Sequence, residues 1–315
     1  MTKTNSKPTK SLAAAITQAA SKQTYYTILF LVDRQRVEAA YQAYAYFRWV
    51  DDTLDEETME AIERMAFFQR QKDLLENCYQ SRYPESVNQQ ENMLIELVQQ
   101  DKEPESGLKS YLYNMMAVMD IDATRRGRSV SQVELNEYTR YLATAVTEAM
   151  HYFVGHCCYS PNDETRYLAV TAAHITHMLR DTYDDLQAGY FNIPSEVLVA
   201  NHLSPHDVQH PVYRAWVRNR VQLARYYFEM GKQYLRQVEN LRCRLAGFAY
   251  TARFEWLLDT IEKENYSLRP EYPERKRLKA GLKMLWQALC SMFMPGEVVF
   301  SPQTVTAHQR TIREP

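Results

Sequence analysis

Residues 37–55 read Val37-Glu38-Ala39-Ala40-Tyr41-Gln42-Ala43-Tyr44-Ala45-Tyr46-Phe47-Arg48-Trp49-Val50-Asp51-Asp52-Thr53-Leu54-Asp55. Val37, Ala40, Tyr41, Tyr44, Phe47 and Val50 recur at steps of three and four, the repeat of one face of an α-helix. This periodicity predicts a long buried helix from about residue 34 to residue 54. The helix ends in acids. Asp51 and Asp55 fall one turn apart on the same face, and Arg48, Asp52 and Asp55 share a stripe at spacings of four and three. Like charges so placed repel, which is costly on an apolar helix unless cations neutralise them. Mg²⁺, which takes carboxylate oxygen, phosphate oxygen and retained water, suits such a site. Taken alone, three acids near a helix end read equally as a solvated face.

A second copy changes that balance. Leu179-Arg180-Asp181-Thr182-Tyr183-Asp184-Asp185 again sets two Asp at i and i+4 after an apolar helical run, with Gly189 and Pro194 supplying a stop beyond. Two such helices facing each other make a clamp for a diphosphate. Metal ions held by the carboxylates would neutralise its charge as the C–O bond breaks and so make pyrophosphate a leaving group. An allylic cation would remain, which needs dry, aromatic walls. Tyr41, Tyr44, Phe47, Tyr138, Tyr141 and Phe153 are candidates, each with core packing as the alternative reading.

The rest of the chain fits an all-α fold. Only 8 Gly and 12 Pro occur in 315 residues, and no Gly precedes Gly107, which disfavours turn-dense β architectures. Helical periodicity starts near Ser11 and is predicted again over about 57–80, 90–101, 106–119, 131–157, 163–187, 211–240, 242–264 and 274–293. No link is long or biased enough to mark a domain boundary. The expectation is therefore a disordered segment at 1–10, one helical domain over 11–300 with a central active-site cavity, and a loose tail at 301–315. A formal net charge of -2 offers no global field for nucleic acid. The N-terminus lacks the apolar core of a secretory signal, and no stretch has the length of a membrane span. Five cysteines without a CxxC pair read as reduced packing residues. A soluble, cytoplasmic protein is expected.

The two acidic runs, with Tyr44-Ala45-Tyr46-Phe47 before the first and Gly189 and Ile193-Pro194 after the second, resemble the two signatures of the squalene/phytoene synthase family. The resemblance runs from about Ser21 to Ala288 and includes Ala224-Arg225-Tyr226-Tyr227 and Arg275-Lys276-Arg277-Leu278. It implies a single helical domain that joins two farnesyl or two geranylgeranyl diphosphates head to head through a cyclopropyl diphosphate intermediate. It also implies two or three Mg²⁺ ions on Asp51, Asp52, Asp55, Asp181 and Asp185. Arg48, Tyr44, Arg180, Tyr141 and Tyr227 are the matching substrate-contact positions, with Arg48 as a partner of Asp52 the alternative reading. NADPH use occurs in the family without a dinucleotide fingerprint, and this sequence gives no support for it. Oligomeric state is left open, as is a peripheral membrane contact through which an apolar product would leave.

Several positions depart from the family pattern. His174 and His177 stand where the family usually has Gln and Asn, and His177 shares the face of Asp181 and Asp185. A neutral imidazole can bind metal or accept a proton but is a poorer Mg²⁺ ligand than an amide oxygen, and helix packing is the bland alternative. Leu142-Ala143-Thr144-Ala145-Val146-Thr147 replaces a Val-Ala-Gly-x-Val-Gly stretch, which predicts a straighter, narrower pocket wall. Arg140-Tyr141 stands where the family has Tyr-Arg. Residues 188–194 lack the usual arginines and tyrosine, and Arg125-Arg126-Gly127-Arg128 reads as a solvated basic loop. A class I terpene cyclase on the same scaffold, acting on one prenyl diphosphate, is the alternative enzyme. A non-catalytic assembly factor is the third reading, to which both Asp pairs are foreign.

Overall fold

The computed structural model describes residues 11–56 and 59–273. The expectations for 1–10, 274–293 and 301–315, and those for Arg275 to Leu278 and Cys290, lie outside the described residues. Within them the chain is all-α, with no strand: α1 (Leu12–Ala20), α2 (Lys22–Leu31), α3 (Val37–Leu54), α4 (Ala61–Tyr79), α5 (Gln89–Gln100), α6 (Gly107–Arg125), α7 (Gln132–Phe153), α8 (Leu168–Arg180), α9 (Thr182–Ala188), α10 (Ser195–Ala200), α11 (Pro211–Gln237) and α12 (Leu241–Lys263).

Local chemistry sets most of these starts. Ser11, Ser21, Asn88, Ser106, Ser131 and Asn240 each cap a helix by accepting a hydrogen bond from a backbone N–H of its first turn, satisfying donors that have no partner within the helix. At α7 the cap is reciprocal: Ser131 Oγ accepts from the Glu134 N–H at 3.2 Å, and Glu134 Oε2 accepts from the Ser131 N–H at 2.8 Å.

Three of the boundaries that differ from the periodicity have a local cause. The expected helix near Ser11 is two, because Ser21 is extended at φ -150° and ends α1 while capping α2. The one expected over 131–157 stops at Phe153, and Gly155 turns the chain at φ +74°. The stretch 163–187 is interrupted at Asp181, which closes α8 and opens α9. A break at one residue keeps the i to i+4 bond from the Asp185 N–H to Asp181 O at 2.8 Å, so apolar periodicity carries through it unchanged.

Two apolar cores result. One joins α1 to α7 around Tyr46, Leu94, Leu97, Leu108 and Leu112 and takes in Ala169, Tyr234, Leu235, Cys243, Phe248 and Ala252 from α8, α11 and α12; the other joins α8 to α12 around Val217, Val221, Phe228 and Leu258. Helices α6 and α7 pack along each other, as do α8 and α11, and α8 also meets α7 and α12. The α8–α11 contact needs glycine, since a Cβ on Gly231 would stand 2.5 Å from the Ala169 backbone nitrogen. Among the cysteines, Cys78 and Cys243 are buried, but Cys157 and Cys158 are exposed. Those two lie in the turn beyond α7, where no core reaches them, and are not packing residues. No helix among the described residues is long and apolar enough to cross a membrane.

Candidate active site

The C-terminal ends of α3 and α6 and the start of α9 meet at one cleft of about 150 Å³. Asp51 and Asp55 enter it from α3, Asp122 and Arg125 from α6, and Asp185 from α9; Arg64, Arg126, Tyr138 and Tyr190 complete the charged and aromatic lining. Four carboxylates thus face three guanidinium groups around a small polar space.

The acids are under electrostatic load. Burial, then the neighbouring Asp55, pushes Asp51 up to about 6. Burial, then Asp181, pushes Asp185 up to about 6 against a hydrogen bond from Asn192. Burial also raises Asp122, although Arg125 and Tyr138 oppose it. Carboxylates raised by desolvation and mutual repulsion accept a cation favourably. The residues therefore fit a hard divalent ion held by one or two carboxylates plus phosphate oxygens and water. Among the described residues no three acids, histidines or cysteines converge closely enough to hold a metal by themselves, so other oxygens must complete any coordination shell.

A polar frame orients this cleft. Arg125 is buried and donates from Nε to Asp122 Oδ1 at 2.7 Å and from Nη1 to Asn192 Oδ1 at 3.0 Å. Its guanidinium carbon lies 4.7 Å from the Tyr138 ring centroid and 4.8 Å from that of Tyr190, within cation–π range. Tyr138 donates to Asp122 Oδ2 at 2.9 Å, and Asn192 Nδ2 donates to Asp185 Oδ2 at 2.5 Å. Gly127 donates its N–H to Gly189 O at 2.8 Å, with both glycines at positive φ. The solvated-loop reading of Arg125 to Arg128 is thereby corrected at Arg125. Its α6 runs on to residue 125 and carries the side chain inward.

The other candidates fall in different places. Asp52 is exposed and pairs with Arg48, whose Nη1 is also 3.4 Å from Asp51 Oδ2. Asp181 does not line the cleft. Arg180 holds both its oxygens at 2.5 Å and His177 Nε2 lies 2.8 Å from Oδ2; although burial opposes them, these contacts hold its carboxyl well below the usual carboxylate range. Tyr44 packs half-buried on the first core and Tyr227 on the second. Tyr141 donates to Glu137 on its own helix at 3.1 Å and lies under Arg140, away from the cleft lining. Tyr41 stacks on Tyr25, and Phe47 meets Tyr46 and Tyr111 edge to face; both are core.

Sequence reasoning missed Asp122, Arg64, Tyr190 and Asn192. No motif marks them, since they arrive from three separate places: Arg64 from α4, Asp122 from α6, and Tyr190 and Asn192 from the loop after α9. An acid and a basic residue three apart at the end of α6, Asp122 and Arg125, were the available signal.

The fold is that of the helical isoprenoid synthases. Over 82% of this chain and 94% of that one it superposes, with a TM-score of 0.65 and 19% identity, on the squalene synthase HpnC of Alicyclobacillus acidocaldarius. A dehydrosqualene synthase solved with a ligand gives a TM-score of 0.67 over 88% and 94%, at 17% identity. The squalene/phytoene synthase family model matches residues 17–281, and the chain belongs to that family. It is 29% identical to the 15-cis-phytoene synthase of Synechococcus elongatus over 42% of this chain and 41% of that protein, and 29% identical to that of Synechocystis sp. over 38% and 37%. The chain thus spans about two fifths of the length of the curated relatives it matches.

Proposed function

We propose that this protein is a Mg²⁺-dependent prenyltransferase that ionises farnesyl or geranylgeranyl diphosphate, releases pyrophosphate and joins two prenyl chains head to head. One observation carries the reading: Asp51, Asp55, Asp122 and Asp185, brought from three helices, face Arg64, Arg125 and Arg126 in a single cleft. Family membership supports the same activity.

In this reading Asp51, Asp55 and Asp185 hold the cations, and Asp122 adds negative charge from the wall. When bound, Mg²⁺ neutralises the diphosphate as it departs. Arg64 and Arg126 take phosphate oxygens. Arg64 has a buried Nε with no acceptor, and Arg126 donates from Nε only to the Ala188 carbonyl, at 3.1 Å. Arg125 is already committed to Asp122 and Asn192, so it positions them. Arg48 pairs with Asp52 and Arg180 with Asp181 at the edge, and both would exchange these partners for the substrate diphosphate on binding. Tyr44 and Tyr227 belong to the prenyl-binding walls. The catalytic unit is one helical domain over 11–300, located in the cytoplasm and touching a membrane surface to release its apolar product.

The test is pyrophosphate release from each diphosphate with and without Mg²⁺, with mass-spectrometric analysis of products. Metal-dependent release with a linear coupled product supports the reading, whereas no release with either substrate refutes it. A cyclase on the same scaffold is the second reading. His174 lies with its ring 5.1 Å from that of Tyr138 and both ring nitrogens buried without a hydrogen-bond partner, but burial pulls it down to about 3 and it does not line the cleft, so it is a weak base for ending a cation cascade.

A further inference from the structure

Helix α3 presents Asp51 and Asp55 to the cleft at its C-terminal end, and a second set of acceptors gathers near its start. Gln42 is 5% exposed. Its Nε2 donates to Glu96 Oε2 on α5 at 2.5 Å, whereas its Oε1 is buried and receives no hydrogen bond. Glu38 precedes it by one turn on the same face of α3. Glu96 is half-buried and accepts otherwise from Asn92 Nδ2, at 2.7 Å. Both of its hydrogen bonds thus come from neutral amides, and among the described residues no cation pairs with Glu38 or Glu96.

Glu38, Gln42 and Glu96 line one hollow of about 430 Å³ between α1, α3 and α5, a volume typical of small-molecule sites. Leu12, Val87 and Met93 give it an apolar wall, and no lysine, arginine or histidine is among the described residues that line it. A water molecule would satisfy the Gln42 carbonyl but bring no positive charge to the carboxylates on either side of it. A single Mg²⁺ fits poorly, since it demands a compact octahedral shell of oxygens and this space is wide and partly apolar. An alkylammonium answers every feature. It carries three donors and no acceptor, its charge offsets the carboxylates, and its methylene chain lies along the apolar wall.

We propose that Glu38, Gln42 and Glu96 form a binding site for a short aliphatic diamine, with one ammonium on the Gln42 carbonyl and Glu96 and the other on Glu38. The site is separate from the aspartate cleft: Gln42 and Asp51 stand nine positions apart on α3, roughly 14 Å along the helix axis. This assignment does not depend on the reaction the cleft performs.

Thermal unfolding of the full chain, titrated with 1,4-diaminobutane dihydrochloride against sodium chloride at matched ionic strength, tests it. A saturable rise in Tm specific to the diamine is expected, as for any ligand that binds only the native state. Glu38→Gln should need about tenfold more diamine, the loss of roughly one charge-assisted hydrogen bond, and the rise should vanish when Glu38→Gln and Glu96→Gln are combined. 1-Butylamine, with a single ammonium, should bind wild type and Glu38→Gln equally. Equal Tm in the two solutes, an unchanged midpoint in Glu38→Gln, or a midpoint that moves with Asp51→Asn instead, which places the diamine in the aspartate cleft, would each overturn the assignment. So would binding seen only in a variant carrying Lys3→Gln, Lys7→Gln and Lys10→Gln, since the hollow would then belong to the chain's own lysines. Should the double variant fail to fold, Glu38→Gln, which alters an exposed side chain, decides the matter.

Discussion

The Tyr190 hydroxyl donates to Asp55 Oδ1 at 3.4 Å across 135 positions of sequence, linking the loop after the second acidic run to the end of the first. The bond is long and exposed, so its contribution to stability is small. Its effect lies in alignment, because α3 and α9 otherwise approach the cleft as separate helix ends. Tyr190→Phe is expected to raise the KM for the diphosphate about three- to tenfold, the scale of one hydrogen bond, and to leave Tm unchanged. Steady-state kinetics beside thermal melting checks this, and a large fall in Tm would contradict the assignment to alignment.

Asp51 and Asp185 are each raised to about 6, first by burial and then by a neighbouring acid. Removing one charge relieves that strain, so Asp51→Asn and Asp185→Asn should melt no earlier than wild type. Their rates of pyrophosphate release should nevertheless fall by roughly 10² or more, the scale of deleting a preorganised electrostatic group. Retained turnover in either variant would remove the cleft from the reaction.

Asp181→Asn is expected to behave differently, although periodicity gives Asp181 and Asp185 the same status. The Asp181 carboxylate neutralises Arg180, whose side chain is only 17% exposed, and accepts from His177. Its loss leaves a poorly solvated cation, at a cost of about 1–3 kcal/mol. Denaturant unfolding of the two variants side by side measures the contrast; equal stabilities would show that the Arg180 contact contributes nothing.

Away from the cleft, Glu91 is 2% exposed and receives Arg70, Gln71 and the Asn88 N–H. The Arg70 hydrogen bond, against the opposing effect of burial, lowers its pKa from 4.5 to about 2. A carboxyl lowered on folding stabilises the native state above its unfolded pKa. That stability is therefore present above about 4.5 and lost as pH falls towards 2. Glu91→Gln should cost about 1–3 kcal/mol at neutral pH and flatten the acid limb of a stability profile measured by urea unfolding. An unchanged limb would place the acid sensitivity elsewhere.

How much of this was legible beforehand depended on whether partners are close in sequence. The helical class, α3 and its aspartates follow from spacings of three and four, which local geometry enforces. The pairing of Arg48 with Asp52 was likewise readable, being one turn of one helix. Asn192 and Tyr190 were not, since Arg125 and Asn192 meet across 67 positions and Tyr190 and Asp55 across 135, and nothing local specifies such contacts. Tyr141 shows why register alone does not say how an aromatic is used: its hydroxyl finds Glu137 one turn away on its own helix.

The histidines separate the two enzymatic readings. Coupling requires that one diphosphate ionise, a second chain attack, and the cyclopropyl intermediate ionise again, whereas a cyclase needs only the first ionisation. His177 holds Asp181 from the rim, with its side chain 47% exposed. In a coupling enzyme it serves as a polar neighbour of the cation cluster, and His177→Asn should keep or raise pyrophosphate release because an amide oxygen is the harder ligand. His174 is buried, held neutral, and has both ring nitrogens free of partners among the described residues. If it ended a cation cascade by taking a proton, His174→Gln would change the products far more than the ionisation rate. The expectation under head-to-head coupling is the opposite: His174→Gln supplies the amide usual in the family and leaves the product unchanged. The measurement is the product profile beside pyrophosphate release for wild type, His174→Gln and His177→Asn. A linear hydrocarbon with twice the carbon count of the substrate would refute the cyclase, and cyclic products built from a single prenyl chain would refute the coupling enzyme.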